Sequence, residues 1–243
     1  MSLGLALAAC ATGQAPGADD EDPYQVNDPI EPVNRAVFAF NDKVDEYVLK
    51  PVAQGYHDYV PVRVQNSLRN FFDNLHEPIV FANDLLQGRP AAAGDDLARL
   101  AINSTFGLGG FFDVTAEGGN PYHDADFGQT FGVWGVPEGP YLVLPIFGPS
   151  NPRDAAGLGA SFVTDPAGAV ASANNAWIPI ISRGVVDGID TRSRYLGTLD
   201  RVKSTSLDYY ATLRSLYRQR RAAQIRHEES SALSPDFSPD RTK

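Results

Sequence analysis

Asp28-Pro29-Ile30-Glu31-Pro32-Val33-Asn34-Arg35 opens the part of this chain that folds. Asp28 reads as an N-cap, Pro29 as the first helical residue and Glu31 as the return half of a capping box. Ile30, Val33, Val37, Phe40, Val44 and Tyr47 then recur at spacings of three and four, which gives the helix one apolar face. That periodicity is helical rather than extended, and it sets an all-α reading for the body.

Downstream, prolines punctuate the pattern. Pro51 ends the first helix, and Pro61 opens a second whose stripe is Val64, Leu68, Phe71, Phe72 and Leu75, with Pro78 beyond it. Pro78–Gln87 reads as a separate short helix, apolar on nearly all sides and stopped by Gly88. At 1.5 Å per residue it is roughly 15 Å long, half of a ~30 Å hydrocarbon layer, so it does not span one. Pro90 opens a further helix through Leu97 and Leu100, which gives way to the flexible apolar loop Phe106-Gly107-Leu108-Gly109-Gly110-Phe111-Phe112. Gly132–Pro152 mixes Gly, Pro and large apolar residues. It reads as a buried irregular crossing, although Tyr141-Leu142-Val143-Leu144 has the texture of a strand. Helical pattern returns at Asp154–Val163 and Trp177–Leu196. A last helix starts after Thr198 or Ser204 and carries Leu207, Tyr210, Leu213, Leu216 and Tyr217. Arg218, Arg220 and Arg221 near its C-terminus read as a solvated end matched to the helix dipole. The longest uncharged run past the tether, Pro166–Ser182, is interrupted by Asn174, Asn175 and Pro179, so no transmembrane helix is expected.

Upstream lies a different texture. Leu3–Ala9 is a short apolar run ending in small residues, and Cys10 follows it. Residues 1–9 read as a secretory signal peptide, abbreviated because the charged n-region is missing. Leu7-Ala8-Ala9-Cys10 resembles the bacterial lipobox, which makes Cys10 the expected site of acylation. Each buried CH2 of an acyl chain contributes ~0.8 kcal/mol, so two or three chains anchor a protein firmly. Ala11 after the cysteine suggests export to the outer membrane. Residues 10–27 are thus an acylated cysteine and a tether, which includes the acidic run Asp19-Asp20-Glu21-Asp22. Residues 28–227 are the folded domain, and 228–243 a polar, disordered tail.

Charge and composition exclude several functions. Lys and Arg number 20 against 30 Asp and Glu, a net charge of -10, which argues against nucleic acid and against adhesion through a polybasic patch. With one cysteine there is neither an internal disulfide nor a thiolate metal cluster. No G-x-S-x-G elbow supports a lipase nucleophile. His76-Glu77 runs into Pro78 rather than into a zincin helix. Gly107-Leu108-Gly109-Gly110 and Gly157-Leu158-Gly159 lack the context of a nucleotide loop. The polar group Tyr122-His123-Asp124-Ala125-Asp126 reads as a solvated loop, and Asp95-Asp96 as helix surface near an N-terminus. No catalytic, cofactor or metal site is therefore expected, and the protein does not read as an enzyme.

The aromatic residues leave two readings open. Phe38, Phe40, Phe71, Phe72, Phe81, Phe106, Phe111, Phe112, Phe127 and Phe131 all fall in the first two thirds of the chain. They form a core, or several helices expose an apolar edge to lipid, as short amphipathic helices do in a bilayer interface.

A family resemblance rests on a run of motifs in order. The opening Asp28–Arg35 with Phe40-Asn41 is similar to that of the MlaA (VacJ) family of outer-membrane phospholipid-transport lipoproteins. The likeness continues through Lys50-Pro51-Val52-Ala53, Asp58-Tyr59-Val60-Pro61, Asn74-Leu75-His76-Glu77-Pro78 and Leu86-Gln87-Gly88. It extends through Asn103–Val114, Phe127-Gly128-Gln129-Thr130, Gly139–Pro145 and Gly148-Pro149 to Arg153-Asp154. The resemblance covers about Asp28–Arg221.

It implies a ring-like single domain of short amphipathic helices, lying in the inner leaflet of the outer membrane around a channel open to the periplasm. It implies phospholipid as cargo, a porin trimer as neighbour and a soluble periplasmic carrier as recipient. It also implies that no cofactor is used. The function implied is extraction of phospholipid misplaced in the outer leaflet, which maintains lipid asymmetry. The alternative is a structural, porin-associated lipoprotein without transport activity. A more distant rival is a phospholipase with His57, His76 or His123 as base. The lipid path is expected at Phe106, Gly107, Gly109, Gly110, Phe111, Phe112 and Asp113, where glycines allow bending and phenyl rings can touch acyl chains.

Overall fold

The computed structural model describes residues 27–227. Cys10, the signal stretch, almost all of the expected tether and the tail 228–243 lie outside the described residues. The body is helical: α1 (Glu31–Val44), α2 (Lys50–Tyr59), α3 (Val62–Leu86), α4 (Pro90–Thr105), α5 (Val114–Glu117) and α6 (Phe127–Val133) precede a hairpin. After it come α7 (Pro152–Thr164), α8 (Pro166–Ala173), α9 (Trp177–Arg194), α10 (Leu196–Thr205) and α11 (Tyr209–Ile225). The all-α expectation holds, with one small exception. Leu142–Leu144 (β1) and Gly148–Ser150 (β2) pair antiparallel, Leu142 opposite Ser150, where an irregular crossing was expected.

The N-terminal capping box does not form. Ile30 takes the N-cap position without a side-chain cap, and Glu31 turns to Arg35 one turn on, at 2.7 Å. Asp28 is instead buried and receives Asn34 Nδ2 at 2.8 Å, Arg214 Nη1 at 2.7 Å and the Tyr210 hydroxyl. Burial opposes its charge, but the bonds from Tyr210, Asn34 and Arg214 outweigh that and hold its carboxyl below the ordinary range. The first folded residue is thereby tied to the last helix. Side-chain caps do appear where Asp113, Asp126, Asn151, Asp165 and Asp208 precede α5, α6, α7, α8 and α11.

Two prolines do not break what they were expected to break. The chain passes from α1 to α2 through a π-helical turn, Asp45–Leu49, so Pro51 lies within a continuous helical path. A π-turn shifts the hydrogen-bond register by one residue, which accommodates the missing N–H and the ring. Pro78 sits inside α3, which runs 25 residues, about 37 Å. Pro78–Gln87 is therefore not a helix of its own. An interior proline costs about 3 kcal/mol locally, which long-range packing of α3 against α4, α6 and α9 offsets. Although α3 is long enough to cross a bilayer, it buries Gln65, Asn74, Glu77, Asn83 and Asp84, and no described helix is long and apolar enough to span.

Helix contacts close into a circuit. α1 leads through the π-turn to α2; α2 packs on α9, α9 on α3, α3 on α6 and α6 on α11. α11 meets β2, and β1 meets α1. The hairpin joins the circuit through two asparagines seven residues apart on one face of α1. Asn34 donates to Tyr141 O at 2.8 Å and accepts from Val143 N at 3.0 Å. Asn41 donates to Leu144 O at 2.9 Å and accepts from Ile146 N at 2.8 Å. Each amide thus serves the hairpin edge as a neighbouring strand would.

The interior inverts the usual partition. Among the described residues, the buried apolar side chains are Ala53, Ile79, Val80, Ala93, Ala125, Tyr141, Val143 and Tyr210, a small set for a chain of this length. Twenty-one polar or charged residues are also buried, with Arg99, Glu77, Asn34 and Asn83 among the largest that are wholly enclosed. Exposed Val, Ile, Leu, Phe and Tyr run instead from Ile30 to Leu207.

Candidate functional site

The loop between α4 and α5 gathers the seven residues expected on the lipid path. Phe106 is 77% exposed and Phe112 55%, with Leu108 and Phe111 also in the open. Phe111 stacks on Phe71 of α3, centroids 4.9 Å apart and planes 14° from parallel. Exposed aromatic rings fixed on a short turn make an apolar finger rather than a core.

Beneath that finger the loop is pinned, where a flexible segment was expected. Gly109 N donates to Ser104 O at 3.0 Å, Gly110 N to Asn103 O at 2.9 Å and Phe112 N to Gly107 O at 3.0 Å. Gly110 has φ +94° and sits against Asn74, so only a glycine fits both the backbone and the contact. Gly107 is buried, and a Cβ there would collide with the carbonyl oxygens of Asn103 and Phe112. Gly109, at φ +76°, faces open space.

Asp113 closes the loop. It caps α5 by accepting from Ala116 N at 3.0 Å and pairs with Arg99 Nη2 at 3.0 Å. Arg99 is wholly enclosed and also reaches Glu77 Oε1 at 2.6 Å and Thr115 Oγ1 at 3.0 Å. Asn103 adds Nδ2 to Asp113 at 3.0 Å and accepts from Val114 N at 3.0 Å. Burial opposes charge on Asp113, but Arg99, Thr115, Ala116 N and Asn103 outweigh it and hold its carboxyl below the ordinary range. Glu77 goes the other way: burial raises it despite Arg99, and its Oε2 finds no hydrogen-bond partner. Arg99, Glu77 and Thr115 were not foreseen as site residues. Asn103 and Glu77 do lie in the motif runs quoted above, and that was the available signal.

Polar groups continue into the body. Asp190 on α9 receives Arg69 Nε at 3.2 Å and the Tyr56 hydroxyl at 3.3 Å, and pairs with Arg194 at 3.2 Å. One turn along α3 from Arg69, burial pushes the Asp73 carboxyl up to about 7. Arg221, expected to be solvated, is buried between Asp126 and Asp154. Asp96, expected on a helix surface, is fully buried, because α4 packs that face on α3. His123, expected in a solvated loop, reaches Asp84 Oδ2 at 2.8 Å.

A polar interior, an apolar exterior and a pinned aromatic loop characterise this chain, and its sequence and fold are similar to those of known proteins. The family model described as MlaA lipoprotein matches residues 26–224. This chain belongs to the MlaA lipoprotein family. It is 34% identical over 221 residues to the intermembrane phospholipid transport system lipoprotein MlaA of Haemophilus influenzae, covering 88% of this chain and 86% of that protein. To MlaA of Escherichia coli K12 it is 35% identical over 205 residues, covering 80% and 76%. A solved structure from work on the structural basis for maintenance of bacterial outer membrane lipid asymmetry superposes with a TM-score of 0.72. Its sequence identity is 34%, and the match covers 82% of this chain and 98% of that one. The MlaA family thus accounts for the mostly helical fold, in which no described helix is long and apolar enough to span a membrane.

Proposed function

We propose that the protein is an outer-membrane lipoprotein, anchored through acylated Cys10, that takes phospholipid misplaced in the outer leaflet and delivers it to a soluble periplasmic carrier. The observation that carries this reading is the inverted partition. Apolar side chains such as Val33, Phe40, Phe106, Phe112, Val163 and Ile178 face outward, while Glu77, Asp96, Arg99, Asp190 and Arg192 lie inside. Such a body suits hydrocarbon around it and water or a charged headgroup within it. Membership of a family whose relatives are named for phospholipid transport supports the same cargo.

In this scheme the body sits in the inner leaflet beside a porin trimer, and the circuit of helices surrounds the lipid's route. A headgroup drawn across hydrocarbon costs several kcal/mol unless polar groups meet it. Arg69, Asp73 and Arg194 are suited to do so. The rings of Phe106, Phe111 and Phe112 accompany the acyl chains. Net flux follows removal of lipid by the carrier.

The test is transfer of labelled phospholipid from porin-containing vesicles to the carrier. The double change Gly109→Pro, Gly110→Pro forces φ near -65° on two residues that need positive values. It is expected to impair transfer while vesicle flotation of the protein is unchanged. Wild-type transfer by that variant removes the loop from the mechanism. Porin binding with no lipid leaving the bilayer supports the structural lipoprotein instead, and release of fatty acid a phospholipase.

A further inference from the structure

Asp84 near the end of α3, Asp96 on α4 and His123 in the segment between α5 and α6 converge at one point. Each offers a ligand atom, and the three atoms lie within 4.8 Å of one another. His123 Nε2 is 2.8 Å from Asp84 Oδ2, and its Nδ1 is 3.6 Å from Asp96 Oδ1. Both carboxylates are completely buried. Arg89 satisfies only the far side of Asp84, at Oδ1, 3.0 Å away.

Asp96 is the unexplained member. Neither of its carboxylate oxygens has a hydrogen-bond partner, although the residue has no exposed surface. A buried carboxylate left in that state is costly, and proteins relieve the cost with a cation or a donor. The His123 side chain is one third exposed, so the cluster is reachable from solvent on that side.

We propose that Asp84, Asp96 and His123 form a divalent-cation site of the zinc type. One imidazole nitrogen and two carboxylate oxygens are a three-ligand set for zinc, and water takes the fourth position. Binding replaces the proton on whichever imidazole nitrogen becomes the ligand, and the other nitrogen stays free to hydrogen-bond to a neighbouring carboxylate. The ion ties the 118–126 segment to α3 and α4. α4 also carries Arg99 and Asn103, which hold Asp113, so the site braces the helix from which the aromatic loop hangs. The sequence pattern around His123 did not disclose it, because the two carboxylates come from 39 and 27 positions earlier.

The test uses the full chain in detergent, stripped with chelator and dialysed against Zn2+ alone. One zinc per chain is expected, with thermal unfolding raised by roughly 5 °C or more at a hundredfold excess over Kd. Co2+ in its place is expected to give visible absorption bands. Asp96→Asn and His123→Leu are each expected to weaken zinc binding at least tenfold, whereas Asp58→Asn, beside the exposed His57, leaves it unchanged. Absence of stoichiometric zinc from the wild type at 100-micromolar concentration (about the weakest useful affinity) overturns the proposal. So does undiminished binding by His123→Leu, since that ring lies partly at the surface and the variant's helical circular dichroism reports its fold. In either case His123 is simply a hydrogen-bond partner of Asp84 lying 3.6 Å from Asp96.

Discussion

Arg221 holds Asp126 with both ends of its guanidinium, Nη1 to Oδ2 at 2.7 Å and Nη2 to Oδ1 at 2.6 Å, across 95 positions of sequence. The fork geometry matches a carboxylate, and Nε lies a further 2.8 Å from Asp154. One side chain of α11 thereby fastens α6 and α7. Arg221→Met leaves Asp126 without its cation, while Asp154 keeps Arg153 Nε at 3.0 Å. Breaking such a pair costs about 3–5 kcal/mol, which chemical denaturation at neutral pH will measure.

The same pair sets an acid limb. Burial opposes charge on Asp126, but Arg221 and the N–H groups of Gln129 and Gly128 outweigh it and hold its carboxyl below the ordinary range. A depressed folded value means the stabilisation is present at neutral pH and is lost as pH falls through that value. Stability of the wild type is expected to drop on acidification below the unfolded carboxylate range. Arg221→Met flattens that slope, as denaturation followed between neutral pH and pH 3 or so will show.

Asp73 is expected to act in the opposite direction. Burial raises its carboxyl to about 7, so the folded state holds a proton that the unfolded state releases. Stability contributed by that proton is complete below the unfolded value and is lost as pH rises through about 7. Asp73→Asn removes the dependence. It is expected to be more stable than wild type in mildly alkaline buffer, with the gap closing as pH falls. Thermal unfolding across that range checks the sign.

Asn34 and Asn41 bind the same hairpin but differ in burial. Replacing Asn34 with Leu strands Tyr141 O and Val143 N inside, and each unsatisfied group costs about 1–3 kcal/mol. Asn41 lies nearer solvent, where water replaces the lost bonds, so Asn41→Leu is expected to cost less. Equal losses in denaturant titrations contradict this account of how α1 holds the hairpin.

Asp113 has two separable duties. Asp113→Asn keeps a capping oxygen for Ala116 N but discards the charge facing Arg99, a loss of about 1.5–3 kcal/mol. Asp113→Ala discards the cap as well, which costs about 1 kcal/mol more. Denaturation of the two variants separates these contributions.

The sequence by itself determined the helices and their amphipathic faces, because a repeat of three and four is a local property of the chain. It also marked the glycine loop and Asp113, since positive φ and helix caps depend on near neighbours. Local signals misjudged Pro51 and Pro78. Pro51 is absorbed by the π-turn before it, and the penalty of Pro78 is local whereas the contacts that offset it, made by α3 on α4, α6 and α9, come from distant residues. They likewise missed Asp96 and Arg221, whose burial depends on partners many positions away. Above all, periodicity says that a helix has an apolar side but not which medium that side faces. The phenylalanines fit a core or a lipid edge equally well on spacing alone. Tertiary packing divided them: Phe40, Phe106, Phe111 and Phe112 are exposed and Phe38, Phe71, Phe72, Phe81, Phe127 and Phe131 partly buried, while Arg99, Glu77, Asn34 and Asp190 fill the interior. A buried charge needs a partner brought from elsewhere in the chain, and only folding brings it.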